Sequence, residues 1–496
     1  MKRTDRPDTA QLAALALATC LLLSACAVNG PPAAVTVAAP PQWYAPLPHN
    51  GSLASLSQWW QQQNDPLLVE LIEAAQAVSP SIVTARSNIE QARAKRATSE
   101  AALLPTLDAT GSFSRSVSPP INRTAAVPIN LGQLGLQSSW ELDVFGQKTA
   151  SRDADQERYE GAQAQWHDAR VSVAAEVATQ YYSLRTCDKL RLVANADARS
   201  RAETARLSAL ATKAGFEAPA TSALARASAA ESHARATQQL AQCDVDIKAL
   251  VALTAFSEPA LRQKLVAALA QTSQPSPQEG SFNISDIPAE VLAQRPDVFN
   301  AARELSAASF EVGSARAQRY PRLSLAGTIA SNKTNARRAT QGFDTWSIGP
   351  LAITVPLFDG GSSEANLQAA KARYEEAAGK YRSTCRQAVR EVEEALVKLQ
   401  STDDRATDAT RAAEGYQASF AGTEARYKAG LASLVELEDS RRTLLSAQSA
   451  LVNLELERRS AWIALYRALG GGWTTAAPHA TPMAFNIPES ALRTWH

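Results

Sequence analysis

Aromatic residues are scarce, at 6% of 496 positions, and there are only five histidines, His49, His167, His233, His479 and His496. None of the five lies three or four residues from another, which removes the paired imidazoles of a helix-borne metal site. So few aromatics are poor material for a thick globular core. A net charge of +1 leaves no electrostatic case for nucleic acid. Asp359-Gly360-Gly361-Ser362 lacks the lysine and spacing of a phosphate loop and reads as a strand-to-helix turn. No catalytic constellation emerges, so neither enzyme activity nor a metal or cofactor is expected. Proline and glycine are also missing from long stretches: Gln147 to Thr212 contains no proline and one glycine. What remains is 45% apolar, largely Ala and Leu, which suits closely packed helices.

The N-terminus reads as an export signal. Lys2 and Arg3 supply positive charge, and the apolar run Leu12 to Leu23 is too short to span a bilayer. The run ends in Leu23-Ser24-Ala25-Cys26, which resembles a bacterial lipobox. Residues 1–25 are therefore expected to be removed and Cys26 to become a lipidated N-terminus, followed by an extended segment over 26–64. Cys20 fits less well, since Thr19 precedes it. Ala27 stands where inner-membrane retention would favour Asp, so this resemblance implies transfer to the outer membrane. Several acyl chains would make the anchoring stable.

An internal repeat with a period near 215 residues dominates the mature chain. Ser79-Pro80-Ser81-Ile82 matches Arg295-Pro296-Asp297-Val298, and Leu104-Pro105-Thr106-Leu107 matches Tyr320-Pro321-Arg322-Leu323. Leu142 to Gly146 matches Val355 to Gly360, and Lys213-Ala214-Gly215 matches Lys428-Ala429-Gly430. Each half reads helix, strand, strand, helix, helix. The first repeat, 65–255, holds a helix over 65–103, strands over 106–117 and 131–143, and helices over 147–213 and 219–255. An equatorial linker, 256–287, leads to the second repeat, 288–469. That repeat holds a helix over 288–319, strands over 322–332 and 345–358 around a polar loop containing Asn332 to Arg338, and helices over 361–428 and 433–469. A C-terminal equatorial tail covers 470–496. Helices of some 65 residues extend roughly 100 Å, the scale of a coiled-coil tube.

Two antiparallel helices turning at Gly215 bring Cys187 and Cys243, each 28 residues from it, to one height. In an oxidising compartment this predicts a disulfide. Cys385 has no mirror partner and is expected to stay a free, packed thiol.

Strands of about ten residues match outer-membrane barrel length. Four strands cannot close a barrel, and an open edge in lipid leaves backbone groups unpaired at several kcal/mol each, so copies must share one barrel. A small soluble β-subdomain on a coiled coil is the alternative that the strands alone leave open.

The lipobox, the duplicated element order, Pro356-Leu357-Phe358-Asp359-Gly360-Gly361 and Arg426-Tyr427-Lys428-Ala429-Gly430 together resemble the TolC/OprM-like outer-membrane factors of tripartite efflux pumps, in their NodT-type lipoprotein branch. The resemblance spans about Trp59 to Gly472. It implies a mainly α protomer with a membrane β-barrel contribution, assembled as a homotrimer with a twelve-strand β-barrel on a long α-helical coiled-coil barrel. The implied function is the outer-membrane exit duct that passes drugs or other small molecules from an inner-membrane RND-type transporter and a periplasmic adaptor to the exterior. The implied place is the cell outer membrane, among its lipids, with the helical barrel in the periplasm. A protein-secretion outer channel and a structural periplasmic coiled-coil lipoprotein are the alternatives.

The resemblance places the aperture at the turns Gly215 and Gly430. Tyr427 takes the position of a tyrosine linking helices near it, Val435 that of an apolar ring, and Glu436 and Asp439 those of acidic rings. Ala432 and Thr221 depart from the pattern, where some members carry a linking arginine and many an aspartate. By spacing alone, Glu436 and Asp439 share a helix face as like charges, and a solvated face with Asp439 reaching Arg442 stays open. Glu438 has Arg442 four residues on and reads as a solvated salt-bridge partner.

Overall fold

Proline opens helices and glycine closes them along this chain, and the long elements lie between those marks. The computed structural model describes residues 30–36, 40, 43–45, 59–63, 65–117, 128–271, 291–292, 294–336 and 339–473. Its helices are α1 (Trp59–Gln62), α2 (Pro66–Val78), α3 (Pro80–Ala101), α4 (Gln147–Lys213), α5 (Pro219–Thr254), α6 (Glu258–Gln271), α7 (Pro296–Ala317), α8 (Ser362–Lys428) and α9 (Leu434–Ala468). Its strands are β1 (Thr106–Val117), β2 (Pro128–Leu142), β3 (Arg322–Ala336) and β4 (Ala339–Thr354). Pro66, Pro80, Pro219 and Pro296 stand in first turns, where a missing amide costs nothing. α4 and α8 each run 67 residues, about 100 Å.

Several boundaries differ from the sequence reading. The single helix expected over 65–103 is two, α2 and α3, bent by 49°. Ser79 between them has ψ 124°, because the ring of Pro80 pushes its predecessor out of the helical region. The linker over 256–287 contains α6, whose Leu261 and Leu265 are buried in the core. The helix expected from 288 is continuous only from Pro296. β2 starts at Pro128, and β4 starts at Ala339 and stops at Thr354. Most of the polar loop expected over Asn332–Arg338 is strand. Asn332 is buried there, and its amide donates to Thr345 Oγ1 across the ladder at 3.1 Å. Cys26, the export signal and everything after Trp473 lie outside the described residues.

The four strands form one antiparallel sheet in the order β1-β2-β3-β4. Residues paired across a ladder share a face. One face carries Leu107, Phe113, Leu134, Leu136, Ile329, Trp346 and Ile348, all 47–82% exposed. The opposite face carries Asp108, Thr110, Ser112, Gln133, Gln137, Thr328, Thr345 and Ser347. β1 and β4 pair on one side only. Such a sheet, apolar on one side, polar on the other and open at both edges, has no stable state alone in water or in lipid.

The main core lies at mid-height of the helices. Trp59, Trp60 and Tyr466 cluster there with ring centroids 4.4–5.0 Å apart, Trp59 stacked on Tyr466 and Trp60 edge-on to it, beside Tyr181, Leu184, Leu250, Leu396 and Leu465. Buried Arg295 ties the start of α7 to the end of α9, donating to the Ala468 carbonyl at 2.7 Å and pairing with Asp297 and Glu391. Small residues let helices approach elsewhere: a Cβ on Gly161 of α4 would lie 2.5 Å from Asn300 Oδ1 on α7. Residues 30–36 and 43–45, before α1, lie against the second repeat as a strap. Tyr374 donates to the Pro32 carbonyl at 2.9 Å, Ser309 donates to that of Pro31, and the Glu393 carboxylate accepts from the amides of Tyr44 and Ala45 at 2.7 and 2.8 Å.

Candidate functional site

The end of the molecule farthest from the sheet is made by two hairpins, α4-α5 turning at Gly215 and α8-α9 turning at Gly430. Both turns are built alike. Gly215 has φ 83° and Gly430 has φ 74°, a region that costs side-chain-bearing residues dearly. The amide of Phe216 bonds back to Ala211 and that of Gly215 to Thr212, and Leu431 and Gly430 repeat this to Arg426 and Tyr427. These are Schellman caps, which satisfy the last carbonyls of each helix and reverse the chain. Ser433 then caps α9, accepting from the Glu436 amide at 3.2 Å.

Below the turns the hairpins pack through Ala205 and Ala225 of the first and Leu434 and Leu437 of the second, with Phe420 and Tyr427 against them. Tyr427 is half-buried. Burial, with repulsion from the Glu217 carboxylate, pushes its phenol above the ordinary value. Val435, Glu436 and Asp439 stay exposed on the face of α9 opposite to Leu434 and Leu437. Asp439 pairs with Arg442, both largely exposed, so Asp439 and not Glu438 is the surface partner of that arginine.

Glu438 is instead the centre of a buried ionic cluster that joins the tip helices. Its side chain is 15% exposed, and Arg201 from α4 and Arg441 from its own helix both donate to it, the latter at 2.5 Å. Ser228 from α5 donates to the same carboxylate at 2.6 Å. The Nε of Arg201 also donates to both carboxylate oxygens of Asp197, at 2.9 and 3.0 Å. Arg441 reaches Ser200 and Thr204 at 3.1 and 3.2 Å and lies over the Phe420 ring of α8 at 5.4 Å. Burial pushes the Arg441 guanidinium below its ordinary pKa against the pull of Glu438. Sequence reasoning missed Asp197, Arg201, Glu438 and Arg441 as a unit. The local signals were Asp197 four residues before Arg201 and Glu438 three before Arg441.

Higher up, Cys187 and Cys243 are joined as a disulfide with Cα atoms 5.5 Å apart, and Cys385 is a buried free thiol. Among the described residues no three His, Cys, Asp or Glu side chains converge as a metal site, and no single helix is long and apolar enough to cross a membrane.

A family model described as outer membrane efflux protein matches residues 71–255 and 287–471, the two repeats. Over 469 residues the chain is 29% identical to the pyoverdine export outer membrane protein OpmQ of Pseudomonas aeruginosa, covering 92% of this chain and 96% of that protein. It is 28% identical over 415 residues to the solvent efflux pump outer membrane protein SrpC of Pseudomonas putida, covering 83% of this chain and 87% of that one. The solved structure of the outer-membrane channel OprN superposes with a TM-score of 0.76 at 26% identity, over 90% of this chain and 99% of that chain.

Proposed function

Because this chain belongs to the outer membrane efflux protein family, we propose that three copies close their sheets into one twelve-stranded barrel and form the exit duct of an efflux pump. The observation that carries this reading is the sheet itself, four strands open at both edges with one apolar and one polar face. Joining β4 of one copy to β1 of the next satisfies every edge, turns the apolar face to lipid and leaves a polar lumen wide enough for water. The helices α4, α5, α8 and α9 continue that lumen into the periplasm. The cargo is small molecules, delivered by an inner-membrane transporter of the RND type through a periplasmic adaptor.

In this duct Tyr427 braces the hairpins at the aperture, Val435 narrows it, and Glu436 and Asp439 repeat around it as acidic rings. Gly215 and Gly430 set where the wall turns back. Cys26 carries the lipid. It lies four residues before Gly30, which an extended chain spans in about 14 Å. Gly30 sits against Ser309, eight residues or about 12 Å of helix from the end of α7 below the sheet, so the acyl chains reach the inner leaflet.

Purified protein should run as a heat-modifiable trimer and give discrete conductance steps in planar bilayers. Monomers without conductance would refute the duct and leave a periplasmic strut.

A further inference from the structure

The apolar face of the sheet changes character within three rows. Ala109, Leu136, Ile329 and Trp346 stand side by side across the four strands. One row outward stand Gly111, Leu134, Ser331 and Asp344, then Phe113, Gly132, Lys333 and Gly342, then Arg115, Asn130, Asn335 and Thr340. Lys333 therefore has a glycine beside it on each neighbouring strand.

Neither glycine is demanded by the backbone. Both sit in regular ladder without positive φ, and an added Cβ would meet nothing closer than 3.9 Å at either position. Glycine inside a strand weakens it and marks a place where a ligand or another chain comes close. Here the two glycines open a trough on either side of Lys333, walled on the β1 side by Phe113, which is 77% exposed. Arg115 and Lys333 are both exposed, and neither makes an ion pair among the described residues. They lie two strands and one row apart, roughly 12 Å between Cα atoms. Asp344, one row inward, is the single carboxylate on this face in these rows. In sequence, the segments joining β1 to β2 and β3 to β4 add Arg123, Arg337 and Arg338 and no acid; these three lie outside the described residues and outside the site.

Two cations at the outer border of an apolar band, with room between them, match an amphiphile whose phosphate lies at that height and whose chains run along the band. A guanidinium forks phosphate, an ammonium meets it as a point charge, and Phe113 and Leu134 lie where acyl chains begin. The geometry points to a binding site for a phosphorylated glycolipid of the outer leaflet, held by Lys333 and Arg115 over the Gly132 and Gly342 trough. This rests on the reading that the apolar face meets lipid in a trimeric barrel.

Full-length lipoprotein in nanodiscs, titrated with bis-phosphorylated lipid A and followed by native mass spectrometry, tests it. Lys333→Gln combined with Arg115→Gln is expected to weaken binding roughly thirtyfold, at about fivefold for each cation and more where both grip one headgroup. Gly132→Leu combined with Gly342→Leu, which fills the trough and keeps both charges, should weaken it as well. The dephosphorylated lipid should bind the native protein and the charge variant alike. Trimers that conduct yet bind the lipid equally with and without the two cations overturn the site. So does displacement by millimolar inorganic phosphate, which would mark a free-anion site. Protein that neither trimerises nor conducts overturns the duct, and the site with it.

Discussion

Replacing Glu438 by Gln removes the charge around which the tip cluster is organised while keeping shape and length. In the native protein one oxygen of this carboxylate accepts from Arg441, and the other accepts from Arg201 and Ser228. A glutamine keeps one acceptor and turns an NH2 group toward one of the arginines, donor against donor. Arg201 then keeps Asp197, which it shares with Arg235, and Arg441 keeps only the more distant pull of Asp197 and Glu424; neither escapes by losing its proton, since arginine stays charged in proteins. Removing one partner of a buried ion pair costs about 3–5 kcal/mol. Because Asp197 remains and the carboxylate is 15% exposed, the low end applies, about 3 kcal/mol. That corresponds to roughly a 150-fold rise in the opened population of the tip. Amide hydrogen exchange reads it directly: protection should fall by that factor near Ser200–Thr204 and Leu437–Leu444, with the sheet unchanged. Asp439→Asn is the internal control. Its partner Arg442 is 79% exposed, and such pairs contribute about 1 kcal/mol or less. Equal effects of the two substitutions would refute the idea that Glu438 locks the hairpins together.

Neutralising the rings with Glu436→Gln and Asp439→Asn should reduce cation selectivity in bilayer recordings, and unchanged selectivity makes them surface charges. Burial, helped by repulsion from Asp297, raises the Asp168 carboxyl above its ordinary value of 3.8. The folded state therefore favours the protonated form, and the associated stability is lost as pH rises through the raised value. Asp168→Asn should raise the melting temperature at pH 7, with the gain shrinking toward pH 3.8. Thiol labelling of denatured mature protein should count one thiol before reduction and three after, and reduction should cost the first hairpin about 4 kcal/mol on the chain-entropy model. Mass spectrometry of the N-terminal peptide should find an acylated Cys26, and an unmodified start elsewhere would exclude the anchor.

The long helices were readable because their stop signals are local: Lys-Ala-Gly at Gly215 and Gly430 needs no knowledge of the rest of the chain. The break at Ser79 was passed over in a helix read as continuous over 65–103, although the proline rule applied to Pro80 as much as to Pro105. Strand ends in the second repeat were lost for another reason. A strand lining a watery lumen is polar on that face, so Asn332 and Thr334 look like loop residues until Phe343 and Gln341 are seen paired opposite them. The tip cluster was the least legible part. Spacing along one helix offered Glu438 the nearby Arg442, whereas its partner Arg201 lies 237 residues away in sequence and meets it only once the hairpins pack.

The strap before α1 has a consequence for symmetry. The two repeats are alike enough that three copies present six near-equivalent hairpins at the tip, yet each chain has one strap, and its described residues reach Ser309, Tyr374 and Glu393 of the second repeat. Around the outside of the ring, the described strap residues therefore mark three positions at their height, one for each copy. A partner touching the tube there can distinguish three places. One that touches only the turns finds six.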